Sequence, residues 1–376
     1  MHLRIGTRGS PLALAQVDIF IDSLSKVCTF THEVIIIKTT GDKILDKPLY
    51  DIGGKALFIK ELESALLDGQ IDIAIHSLKD VPGDVGFSVI QSESEMVALN
   101  QASFRAAPSV GGVESSVIQS RPVSGRRGIQ QIIYNSKSYS SLAFFMSSLE
   151  WLRHKLCAGF HAADFAAALN DGSASLQLGC YLQREYPLDC LVSYKAKSIL
   201  ELPKNSKVGS SSPRRAVFLK KQRPDLEIFP LRGNVNSRLK KLSDGEYDAI
   251  ILAEAGLRRL GLYNEDYCYV IKPEEMIPAV GQGVITAQYV SSNQEIKDIL
   301  KLVDDPVTRN YVDIERDFLS ELNADCRTPV AGFVLGNRAM FMLADDDMSN
   351  VKILEKSFDS VGELDGRKIA LEIARI

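Results

Sequence analysis

Seven arginines stand out for where they fall. Arg8, Arg214, Arg215, Arg232, Arg238, Arg258 and Arg259 lie at the ends of apolar runs or beside the helical patterns that follow them. Backbone N–H groups at helix starts favour anions, and a guanidinium grips a carboxylate through two parallel hydrogen bonds. Singly, each reads as a solvated surface arginine. Together, on one face of the expected sheets, they read as a site for an anion. Asp80, in "IAIHSLKDVP", follows a buried strand and falls among these cations. A carboxylate there suits an acid/base group or the stabiliser of a developing cation. It also suits a turn before Val81-Pro82, the simpler reading of the residues alone. His76 reads as a strand-end histidine with a hydrogen-bond partner. Cys326, in "ELNADCRTPVAG", stands between Asp325 and Arg327. A small buried residue is its default role, although Arg327 beside it would favour a nucleophilic thiolate.

These groups need a frame that gathers them. "LRIGT" reads as a strand, and Ser10-Pro11 as a helix cap with proline in the first turn. Leu14, Val17, Phe20, Ile21 and Leu24 follow at helical spacing. "EVIIIK" has the β-branched run of a buried parallel strand, "ALFIKELESALLDG" is an amphipathic helix, and "IDIAIH" is a further strand. "KVGSSSPRRAVFLKK" repeats the opening plan, followed by "LEIFPL", "GNVNSRLKKLSDG" and "YDAIILAEAGLRRLG". Strands alternating with helices imply an α/β fold, here two lobes with a cleft between them. After residue 294 two helices, two alternating strands and a last helix predict a small α+β domain, with Cys326 at its entrance.

Composition narrows the function. A chain of 376 residues exceeds one core. A net charge of −4 gives no support to nucleic-acid coating. The start of the chain lacks a secretory pattern, and no apolar run reaches the length of a membrane span. Six scattered cysteines form no zinc or disulfide framework, so no metal is expected and the cytoplasm is the expected compartment. "PAVGQGV" lacks the spacing of a nucleotide-binding loop. The stretch carrying Lys43, Lys47, Lys55 and Lys60 reads as a lid over the cleft or as a solvated loop.

The motifs together resemble the porphobilinogen deaminase (hydroxymethylbilane synthase) family. "RIGTRGSPLALAQ", "TTGDKILDKPLYDIGGKALFIKELESALLDGQIDIAIHSLKDVP", "REYPLDCLVS", "VGSSSPRRAVFLKKQRPDLEIFPLRGNVNSRLKKLSDGEYDAIILAEAGLRRLGL", "PAVGQG" and "ERDFLSELNADCRTPVAGF" carry the resemblance, in the family's order. It covers residues 1 to about 90 and about 183 to 340. The resemblance implies two α/β lobes like those of periplasmic ligand receptors, plus the small third domain. It implies a transferase of porphyrin and haem biosynthesis that condenses four porphobilinogen molecules and releases ammonia. It implies a dipyrromethane cofactor joined through a thioether to Cys326. On this resemblance Asp80 is catalytic. Ser10, Lys55, Asp80, Ser211, Ser212, Arg214 and Arg215 contact the cofactor, and Arg8, Arg232, Arg238 and Arg259 bind substrate. A monomer, with a small-molecule substrate and no nucleic-acid or membrane partner, is implied as well.

The expected organisation is a main part of lobe 1 over 1–90, an insertion of loops and short helices over 91–182, and lobe 2 over 183–277. A return to lobe 1 follows over 278–323, and the cofactor-attachment domain occupies 324–376. Two departures from the family stand out. Its "GGC" is "ADC" here, and roughly 90 residues separate segments that the family joins almost directly. Two rival readings follow: an enzyme relic impaired by the insertion, and a two-lobed anion-binding protein. The second has no need of a reactive cysteine or a cleft aspartate.

Overall fold

The computed structural model describes residues 1–40, 59–83, 175–322, 324 and 328–376. All belong to one compact unit, Met1–Val89 with Ala174–Ile376. Lys55, Cys326, most of the expected lid and the helices expected within the insertion lie outside the described residues.

The first lobe is built on strands β1 (His2–Thr7), β2 (Thr31–Ile36), β3 (Ile73–Ser77), β4 (Leu176–Tyr181) and a late strand, β10 (Ile285–Val290), in the order β2-β1-β3-β10-β4. The β1 strand runs parallel to β2 and β3, while β10 runs antiparallel to β3 and β4. The second lobe repeats the plan with β5 (Asp189–Val192), β6 (Lys207–Gly209), β7 (Glu227–Phe229), β8 (Ala249–Ala253) and β9 (Cys268–Ile271), ordered β7-β6-β8-β5-β9. Here β6 is parallel to β7 and β8, and β5 is antiparallel to β8 and β9.

Matching chemistry starts each lobe. Ser10 Oγ accepts from Ala13 N at the head of α1 (Pro11–Ser25). Ser212 Oγ accepts from Arg215 N at 3.4 Å at the head of the helix Pro213–Gln222. Both helices carry proline in the first turn, where its missing N–H costs nothing. Val17, Phe20 and Leu24 recur on one helical face and are buried against β1, β3 and β10. On the opposite face of that sheet, α2 (Lys60–Leu67) buries Leu62, Ala65 and Leu66. The helix Pro213–Gln222 is α3 in chain order. It is followed by α4 (Val235–Ser243), α5 (Glu254–Arg259), α6 (Gln294–Lys301), α7 (Pro306–Glu321) and α8 (Gly366–Arg375).

Two expectations need correction. The "EVIIIK" strand is not buried: β2 is the sheet edge among the described residues, with Val34 37% and Ile36 54% exposed. Only Ile35 and Ile37 pack inward, because an edge strand has one neighbour and one covered face. In addition, Leu176–Tyr181 falls inside the stretch expected as insertion, yet it is the strand β4 of lobe 1. Its Leu176, Cys180 and Tyr181 are buried, which supplies the reason it pairs with β10.

The third sheet, β11 (Val330–Leu335), β12 (Arg338–Leu343) and β13 (Lys352–Ser357), is antiparallel. Alternation gives it two apolar faces. Ala331, Phe333, Met340 and Met342 join the core of lobe 2. Val334, Ala339 and Phe341 pack on Ile314 and Phe318 of α7 and on Ile369, Ala370 and Ile373 of α8. Val312 of α7 meanwhile packs with Leu78, Val81 and Val284 of lobe 1. The small domain therefore touches both lobes.

The chain passes between the lobes twice, through 182–188 and 272–284. Leu182 N donates to Ile285 O, and Glu185 N donates to Gly283 O. Gly283 has φ +88, and a Cβ on it would lie 2.4 Å from Glu185 O. Gly283 of "PAVGQG" serves that close approach. Gly283→Ala is expected to lower stability by at least about 1 kcal/mol, since φ is wrong for alanine and backbone blocks the methyl. A thermal unfolding midpoint equal to that of the parent protein would refute this.

Candidate active site

The parallel strands of both sheets end on the same class of residue. Arg8 and Ser10 follow β1, and Lys79 and Asp80 follow β3 in a short 3-10 turn, Leu78–Asp80. Ser211, Ser212, Arg214 and Arg215 follow β6, Arg232 follows β7, and Arg259 closes the helix after β8. Ligands of open α/β sheets bind beyond such carboxyl ends.

A cavity of about 210 Å³ lies there. Lys79 and Asp80 come to it from lobe 1, and Ser212, Arg214 and Arg215 from the start of α3 in lobe 2. Ala279, Val280 and Gln282 of the return crossing, Leu319 of α7, and Thr328 and Val330 of the third domain complete its lining. Thr328 is two residues beyond Cys326 in the sequence.

The two arginines of α3 do not stand open. Asp189, the first residue of β5, accepts from Arg214 Nη2 at 2.7 Å and from Arg215 Nη2 at 2.6 Å. Arg214 Nη1 also donates to Ile277 O, and Arg215 Nη1 to Ile251 O. Burial alone would raise the Asp189 carboxyl, but the two guanidiniums outweigh it and hold it well below the usual range. Burial lowers the Arg214 pKa despite this partner. Lys79 Nζ donates to Gln282 Oε1 at 3.4 Å. Burial brings its pKa down to about 8, with Asp80 opposing and Arg215 assisting the shift.

The remaining candidates divide into near and supporting groups. Arg238 feels the charges of Arg215, Asp80 and Arg232, and burial pushes its pKa down to about 10. Its Nε donates to Gly233 O at 2.8 Å. The Arg259 side chain is buried, donates through Nη2 to Gly283 O at 2.7 Å, and its Nε lies 3.9 Å from Glu185 Oε2, an ion pair beyond hydrogen-bond length. Arg8 is half-buried, and its charge reaches His76. Ser211 Oγ both donates to Leu231 O and accepts from Leu231 N, so it fixes the backbone that carries Arg232. Ser10 caps α1. His76 is a buried structural residue: its Nε2 hydrogen-bonds Gln288 Oε1 at 3.0 Å, and burial lowers its pKa to about 4, so it is neutral near pH 7.

The match to known proteins is now decisive. A family model described as porphobilinogen deaminase, dipyromethane cofactor binding domain, matches residues 3–96 and 163–298. The chain belongs to the porphobilinogen deaminase family. Porphobilinogen deaminase of Rickettsia canadensis is 35% identical over 332 residues, 88% of this chain and 81% of that protein. That of Rickettsia akari is 35% identical over 93% of this chain and 89% of its own. The periplasmic VFT2 domain of Bordetella pertussis BvgS aligns over 85% of this chain and 91% of its own, at a TM-score of 0.36 and 8% identity, too loose a likeness to add to the strand order. As a porphobilinogen deaminase the chain is a transferase of porphyrin and haem biosynthesis whose family uses a dipyrromethane cofactor. The family model leaves 97–162 unmatched, a shorter gap than the 91–182 expected as insertion.

The cavity suits that cofactor by its donor set. Among the described residues its lining holds three cations, Lys79, Arg214 and Arg215, for carboxylates, and one carboxylate, Asp80, for pyrrole N–H groups. Asp189, Lys79 and Gln282 were not singled out in the sequence. "REYPLDC" contained Asp189 within a recognised motif, and Lys79 adjoins Asp80, so adjacency to matched residues was the available signal.

Proposed function

We propose that this porphobilinogen deaminase joins four porphobilinogen molecules head to tail, releasing one ammonia per molecule, and that water then frees the linear hydroxymethylbilane. The convergence of Asp80, Arg214, Arg215 and Thr328 on one cavity carries the reading. Thr328 supports Cys326 as the attachment point, through a thioether. When bound, dipyrromethane supplies the acceptor pyrrole. Each condensation breaks the aminomethyl C–N bond of porphobilinogen, forms one C–C bond and sheds one ring proton. Asp80 assists departure of the ammonia and accepts hydrogen bonds from the pyrrole N–H of the resulting cation. Arg214 and Arg215, with Ser10, Lys55, Ser211 and Ser212, hold cofactor, directly or by fixing the backbone that does. Arg8, Arg232, Arg238 and Arg259 hold the acetate and propionate groups of substrate. Arg259 supports its share of this task by its charge, which only the half-exposed Glu185 carboxylate, 3.9 Å from its Nε, offsets among the described residues. In this reading the enzyme works in the cytosol as a monomer.

Intact-mass measurement tests the reading. The purified chain is expected to exceed its sequence mass by one dipyrromethane, and Cys326→Ser to abolish the increment. An unmodified parent chain that consumes no porphobilinogen would overturn it.

A further inference from the structure

The pair Arg214 and Arg215 is an unusual thing to bury. Both lie in the first turn of α3, where the helix dipole already disfavours cations, and both are more than nine-tenths buried. Asp189, fully buried, is their common counter-ion, and Gln282 Nε2 donates to the same carboxylate at 3.2 Å. Such a triad is a poor way to stabilise a fold, because desolvation offsets most of the attraction. Its two arginines line the cavity with Asp189 paired behind them, and that position gives the triad another use. Lys79, Asp80, Arg214 and Arg215 of the lining, with Asp189 behind them, carry three cations and two carboxylates, one surplus positive charge at the wall itself. Every porphobilinogen added brings two more carboxylates past this wall, so a wall with a larger surplus would grip the chain harder at each step.

We propose that Asp189 is a positioning residue that sets the strength of carboxylate binding here: it holds both guanidiniums at the cavity wall and cancels one of their charges. This rests on the reading of the chain as a hydroxymethylbilane synthase. The grip stays strong enough to orient the growing polyanion and weak enough to let it advance.

The test uses the full chain carrying Cys326→Ser, so that nothing is tethered, and butane-1,2,3,4-tetracarboxylate as an unreactive probe in calorimetry at low salt. Asp189→Asn, which keeps shape and removes charge, is expected to bind the probe roughly tenfold tighter. Removing one partner of a buried ion pair can unfold a protein, so a second comparison avoids the single variant. Arg214→Gln lowers the surplus to zero and is expected to bind roughly tenfold more weakly than the background. Adding Asp189→Asn to Arg214→Gln restores one surplus charge and is expected to return affinity to within about twofold of the background. A double variant that binds no tighter than Arg214→Gln overturns the proposal, as does a folded Asp189→Asn chain with unchanged or weaker affinity. In chains that keep Cys326, Asp189→Asn is expected to lower kcat without raising KM and to shift the intact-mass distribution toward longer attached chains. A parent-like distribution counts against the proposal. Loss of the dipyrromethane increment in the parent chain would instead sink the functional reading and leave the calorimetric result intact.

Discussion

Asp80→Asn is expected to lower kcat by roughly two to four orders of magnitude, the usual span for removing a positioned acid/base group. Asparagine keeps the shape and loses both the negative charge and the proton affinity. Asp80 is half-buried on a 3-10 turn at the cavity wall, and its charge is felt at Lys79, His76 and Arg238. The fold does not depend on it: Leu78 and Val81, not Asp80, insert into the packing of lobe 1 against α7. The thermal midpoint is therefore expected to stay close to that of the parent, while steady-state formation of hydroxymethylbilane collapses. Parent-like turnover would remove Asp80 from its role.

Glu315→Ala is expected to have the largest effect on stability, about 3–5 kcal/mol, the cost of breaking a buried pair from one side. Glu315 is 0% and Arg184 4% exposed at the side chain. The carboxylate accepts from Arg184 Nη1 at 2.7 Å and Nη2 at 2.8 Å, from Gly281 N and from Val334 N. One side chain thus ties the outgoing crossing, the returning crossing, α7 and β11 together. Alanine strands the Arg184 guanidinium and two backbone N–H groups away from water. Urea unfolding should show a lower midpoint with an unchanged slope. A loss below about 1 kcal/mol would mean that the four segments are held by packing alone.

Much of this architecture was legible because it is written locally. Ser10-Pro11 and Ser212-Pro213 announce helix starts through hydrogen bonds made within three residues. The spacing of Val17, Phe20 and Leu24 declares a buried face without knowledge of what covers it. The β2 strand shows the limit of such reading, since its β-branched run does not reveal how many neighbours the strand acquires. The site was legible in residue type and less so in partnership. Arg214 and Arg215 were recognised, but their counter-ion lies 25 and 26 residues earlier, on the strand β5. Neighbouring arginines also diverge in ways that only packing decides. Arg258 lies over the rings of Tyr263 at 3.8 Å and Tyr186 at 4.7 Å, whereas Arg259 turns inward to Gly283. The cofactor roles of Cys326 and Lys55 came from the family resemblance alone, and both residues lie outside the described residues.

The third domain is anchored on two foundations. Arg316 of α7 donates to Pro82 O and Gly83 O just beyond the Asp80 turn, while Ala331 and Phe333 of β11 belong to the core of lobe 2. The segment between them, 323–329, contains Cys326, which lies outside the described residues. Because α7 is itself packed on the third sheet and Glu315 accepts from Val334 N, the two anchors are one piece, so the third domain acts as a keystone through which a strain on either lobe reaches the other.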